Sequence, residues 1–134
     1  MTKLLDVEGI GAVYAQKLKE AEVSTAEALL SQGKTPKGRA EIAEKSGISP
    51  TLILRWVNHV DLFRIKGVGG QYAELLEVAG VDTVPELAQR SAANLYQKLV
   101  QANQEKKCVR QLPTQTQVES WVEQAKRLPR IVTY

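Results

Sequence analysis

The 134 residues carry 43% hydrophobic and 25% charged side chains, a globular balance that excludes a disordered chain and a fibre. Lys and Arg number 18 against 15 Asp and Glu, so the net charge is only +3. One Cys and one His exclude an internal disulfide and a zinc cage, and no stretch approaches the ~20 apolar residues needed to span a bilayer.

Taken in chain order, the opening run Met1–Asp6 is not a signal peptide, because Asp6 and Glu8 interrupt its apolar residues; a cytoplasmic location with no membrane partner is expected. Ile10, Tyr14, Leu18 and Ala21 recur at helical spacing. Ser24-Thr25-Ala26-Glu27 is a capping-box pattern that starts a second helix. Lys34, Lys37 and Arg39, set among Gly33, Pro36 and Gly38, predict a mobile loop. Gly33-Lys34-Thr35 ends like a phosphate-binding loop but lacks the upstream glycine and strand. The stretch from Arg39 to Val57 has the outline of a helix-turn-helix that would present Thr51, Arg55 and Asn58. Its second helix is apolar nearly all round, at Leu52, Ile53, Leu54, Trp56 and Val57, so it is read as core. Val68, Tyr72, Leu76 and Ala79 form a further stripe, and Thr83-Val84-Pro85-Glu86 a further start. Leu95, Leu99 and Ala102, then Val118, Trp121, Val122 and Ala125, complete a set of eight to ten short helices. After Pro129 the β-branched run Ile131-Val132-Thr133 favours an extended tail, either docked on the body or free as a peptide ligand.

An internal repeat is the most informative feature. Val7-Glu8-Gly9-Ile10-Gly11 with Tyr14-Ala15 and Leu18 recurs as Ile65-Lys66-Gly67-Val68-Gly69 with Tyr72-Ala73 and Leu76, 58 residues later. Ile53, Trp56 and Val57 pair with Val118, Trp121 and Val122 at a spacing of 65. The chain therefore divides into halves 1–60 and 61–127 with a tail 128–134, and no Gly/Ser-rich linker parts them, so one compact domain is expected.

Each Gly-apolar-Gly element has the form of a helix-hairpin-helix. The first glycine supplies a positive φ, the second a close backbone approach, and the apolar residue between them plugs the helices together. Such a turn leaves backbone N–H groups at the positive end of the following helix, where a phosphate fits. The predicted contacts are Gly9, Ile10 and Gly11 in the first turn and Gly67, Val68, Gly69 and Gly70 in the second, with charge from Arg64 and Lys66. Phosphate contacts of this kind position a duplex without reading its bases. The alternative is that both turns are scaffolding: Asp6 and Glu8 flank the first, and Ala12-Val13-Tyr14 and Gly70-Gln71-Tyr72 stand where basic residues would help. Lys106, Lys107 and Arg110 would extend a phosphate-binding face if the fold brings them beside Lys66. His59 has no plausible catalytic partners, and Cys108 is read as an ordinary thiol.

Over essentially its whole length the chain resembles a bacterial family of unknown function built from tandem helix-hairpin-helix units, distantly similar to modules of DNA ligases and polymerases. The resemblance rests on Val7–Gly11 with Tyr14-Ala15, Gly47-Ile48-Ser49 through Trp56-Val57-Asn58, Arg64–Gly69, Gly80–Val84 and Leu128-Pro129-Arg130. It implies an all-α fold of two pseudo-repeated helix-hairpin-helix halves with an extended C-terminal tail, and contact with DNA through Gly9–Gly11 and Gly67–Gly69. The expected function is non-catalytic, cofactor-free, sequence-independent binding of DNA or RNA phosphates. The alternative is a protein–protein adaptor in which the turns are purely structural.

Overall fold

Helix starts follow the capping chemistry. A computed structural model describes residues 2–134; Met1, the first residue of the opening run, lies outside the described residues. After a 3₁₀ turn at Leu4–Asp6 come α1 (Ala12–Glu20), α2 (Ala26–Gly33), α3 (Pro36–Ser46), α4 (Pro50–Leu62), α5 (Gly70–Val78), α6 (Val84–Ala88), α7 (Ala92–Glu105) and α8 (Gln115–Arg127). The fold is all-α, with no strand among the described residues and one isolated bridge, Lys3 to Thr25.

Thr25 caps α2 by accepting from the Ala28 N–H at 3.0 Å, while Glu27 reaches elsewhere: its carboxylate accepts from the Thr2 N–H at 2.7 and 3.0 Å. The predicted mobile loop at Lys34–Arg39 is corrected. Thr35 accepts from the Gly38 N–H at 3.1 Å and Pro36 occupies the first turn, so the segment winds into α3 and Arg39 is buried. Thr114 and Gln117 form a full capping box on α8.

Contacts divide the chain into two compact units. The first runs to Asp61 and takes in Ile131–Tyr134; the second is Leu62–Arg130. In the first, Leu18, Val23, Leu29, Ile53, Trp56 and Val57 are fully buried, and the Tyr14 ring meets Trp56 edge-on at 5.1 Å. The helix-turn-helix outline resolves as core packing: Asn58 is buried and accepts from the Tyr134 hydroxyl at 3.0 Å. In the second unit, α8 packs on α6 and α7, and α7 on α5. Leu75, Leu76, Val81, Leu87, Leu95, Leu99, Val118 and Trp121 form its core, with Tyr72 against Trp121 at 5.3 Å. Each unit thus holds the same tyrosine–tryptophan pair that the repeat marks in the sequence.

Candidate nucleic-acid interface

The two glycine turns adopt the same backbone. Gly9 and Gly67 have φ of 93° and 96°, the left-handed region that an L side chain enters only with strain. Each also lies against its unit's tryptophan: a Cβ would stand 3.1 Å from Nε1 of Trp56 or of Trp121. Ile10 and Val68 turn inward and are buried. Gly11 and Gly69 then act as extended N-caps of α1 and α5, their carbonyls accepting from Ala15 at 2.9 Å and Ala73 at 2.8 Å. A glycine has no side chain to cap with, so the first-turn N–H groups of both helices have no side-chain cap, and helix geometry denies them an intrahelical acceptor. They mark the positive end of the helix dipole.

At the second turn this helix start opens onto a cleft of about 460 Å³. Gly67, Gly69, Gly70 and Gln71 form one wall, and Val109, Arg110 and Gln111 the other. A second hollow of about 660 Å³ shares Gln71, Val109 and Arg110 and adds Asn103, Gln104 and Lys107. The facing segment is held by explicit bonds. The Asn103 side-chain oxygen accepts from the N–H groups of Cys108 at 2.9 Å and Val109 at 3.1 Å. The Asn103 amide donates to the Val109 carbonyl at 3.1 Å, and the Tyr72 hydroxyl donates to the Gln111 carbonyl at 3.0 Å. These bonds hold the backbone on either side of Arg110, which lines the wall opposite the start of α5.

The predicted residues separate. Gly67, Gly69 and Gly70 line the cleft. The expected donor at Val68 is corrected: its N–H donates to the Ile65 carbonyl at 3.1 Å, closing the turn, and the Ile10 N–H does the same to Val7 at 3.1 Å. Arg64 donates to the Pro129 carbonyl at 2.6 Å and so braces the chain after α8. Lys66 is exposed, with its backbone held by Gln124, which accepts from its N–H at 2.9 Å and donates to its carbonyl at 3.3 Å. Of the basic cluster, Arg110 and Lys107 reach the hollows, whereas Lys106 pairs with Glu74 at 3.4 Å. The Cys108 thiol also faces Glu74, at 3.6 Å. Gln71, Tyr72, Gln111 and Gln124 carried no sequence signal for this site. The first turn, Gly9–Gly11, keeps acidic neighbours, with Asp6 accepting from the Lys3 N–H at 3.3 Å, and it exposes 69% of Val13.

Among the described residues, no group of three or more His, Cys, Asp or Glu side chains could hold a metal ion, and no helix is long and apolar enough to cross a membrane. A family model described as a domain of unknown function (DUF4332) matches residues 8–128. The chain belongs to the DUF4332 family. No curated protein and no solved structure matches it. The DUF4332 match takes in both glycine turns and the whole cleft, and it stops ahead of the segment that begins at Pro129.

Proposed function

We propose that this DUF4332 chain is a non-catalytic, sequence-independent nucleic-acid-binding module whose glycine turns are helix-hairpin-helix elements. The observation that carries this reading is the cleft of the second unit, where the uncapped start of α5 and Arg110 face each other across Gly67, Gly69 and Gly70. A phosphate there receives backbone N–H bonds, the favourable end of a helix dipole and a guanidinium that forks onto two oxygens. Lys107 and Lys66 add long-range attraction. Backbone N–H groups, a guanidinium and ammonium groups suit phosphate oxygens and do not by themselves read base edges, so binding would be independent of sequence.

The test is fluorescence anisotropy of labelled duplex and single-stranded DNA at low and near-physiological salt, with an Arg110→Glu/Lys66→Glu variant checked for folding by circular dichroism. Wild-type binding that the folded variant loses supports the reading. No binding of either DNA at low salt sinks it. Arg64 is kept out of that variant because its bond to the Pro129 carbonyl makes its loss a structural change.

A second reading has its own observation. Around the first turn Leu5 and Val13 are exposed in a segment that also carries Asp6 and Glu8, a combination that suits a basic protein partner better than a phosphate. On this adaptor reading, Val13→Asp would abolish capture of that partner and leave DNA binding unchanged.

A further inference from the structure

Residues Ile131–Tyr134 lie on the first unit outside any regular element, in a seat built from the α2–α3 junction and α4. The Thr133 N–H donates to the Lys34 carbonyl at 2.8 Å, and its hydroxyl donates to the same oxygen at 3.3 Å. Arg39, itself only 7% exposed, spans the seat: Nη1 donates to the Gly33 carbonyl at 2.9 Å and Nη2 to the Thr133 carbonyl at 2.8 Å. Val132 is 1% exposed. The Tyr134 ring lies 5.8 Å from the Arg39 guanidinium, and its hydroxyl donates to Asn58 Oδ1 at 3.0 Å.

This is the chemistry of extended-peptide recognition. Main-chain bonds hold the segment, and of the two alternate side chains Val132 is buried while Tyr134 stays 63% exposed and is held through its hydroxyl and the Arg39 guanidinium. An empty seat would leave a buried guanidinium with one carbonyl in place of two, so the seat favours being filled. Nothing in these contacts depends on which copy of the chain supplies the strand. The segment leading into it is already extended, with Leu128 at φ −99° and ψ 140° ahead of Pro129, which disfavours folding back into helix.

We propose that this seat is a peptide-binding site for a Val-x-Tyr strand, and that the tail of a second copy is its ligand in trans, giving a tail-exchanged dimer. The cis and exchanged forms share every seat contact and differ at Arg130, the residue that follows the Pro129 carbonyl held by Arg64. Protein concentration therefore sets their ratio.

Two full-length variants test it. Val132→Asp has an intact seat and a disabled tail; Arg39→Met has an intact tail and a disabled seat. In sedimentation velocity each alone should be monomeric, and their mixture should form a 1:1 dimer. A mixture that stays monomeric while both chains are folded by circular dichroism overturns tail exchange. If Arg39→Met does not fold, a labelled peptide of residues 128–134 is titrated into full-length Val132→Asp. Saturable binding is expected, weakened about tenfold or more when the peptide itself carries V132D. A peptide that fails to bind the folded Val132→Asp chain overturns the seat as a binding site.

Discussion

At the scale of single residues, Gly9 and Gly67 carry two constraints at once: a positive φ and a tryptophan edge where a Cβ would go. Alanine at either position should cost about 1–2 kcal/mol in backbone strain alone, with displacement of the indole added. Gly69 is the internal control. Its φ of −105° suits any residue and open space surrounds its Cβ position, so Gly69→Ala should stay within about 1 kcal/mol of wild type. Urea denaturation followed by tryptophan fluorescence separates the three, and a Gly67→Ala midpoint equal to that of Gly69→Ala would refute the argument. Arginines show how far a residue can be read from its neighbours in sequence. Arg64 lies three positions before Gly67, and its place in the chain suggested a phosphate ligand, yet its guanidinium is on the Pro129 carbonyl. Arg110, distant in sequence, is the one that faces Gly67 and Gly69.

At the scale of elements, α2 owes its anchorage to a carboxylate. Burial pushes the Glu27 carboxyl up, but the hydrogen bonds from Thr2 outweigh burial and hold it below its ordinary value of 4.5. A carboxylate depressed in the folded state stabilises it above the unfolded value, and that contribution is lost as pH falls through the folded value. Thr2 also accepts from the Ala26 N–H at 3.0 Å, so acidification below the ordinary glutamate range should loosen the pairing of residues 2–3 with 25–26. An NMR pH titration of the Thr2 amide should report this step, and Glu27→Gln should remove it; an unchanged Thr2 titration in that variant would contradict it. On α8, Thr114→Ala removes the side-chain half of a capping box, the acceptor for the Gln117 N–H, and should cost about 1 kcal/mol in thermal or urea unfolding. The α3 start illustrates what composition hides: Gly, Lys, Pro and Thr suggest a loop when counted, but Thr35 followed by Pro36 is a cap followed by a first turn.

At the scale of the whole molecule, a net charge of +3 is too small to draw nucleic acid by itself, so any binding must come from local arrangement. A site that neutralises about two or three phosphates predicts a log–log salt slope of about −2 to −3 on duplex DNA. A slope near zero would place the interaction with an apolar partner instead.

The sequence by itself determined the helical class, the positions of the turns and the repeat, because these rest on short-range signals: helical spacing of apolar residues, caps, and glycines at positive φ. The repeat matched Tyr14 with Tyr72 and Trp56 with Trp121, while the packing of each tyrosine on its own unit's tryptophan came from the tertiary structure. Half of the candidate site was legible on the same grounds, since Gly67, Gly69 and Gly70 announce a turn and a helix start. Only the tertiary structure decided which charges face that turn. It also turned Lys106 toward Glu74 and made Arg39 the floor of a peptide seat. Those outcomes depend on where Asn103 and Tyr72 pin the segment after α7, and on what burial leaves for a guanidinium to bond. They are contacts between residues far apart in the chain, and no local window of sequence encodes them.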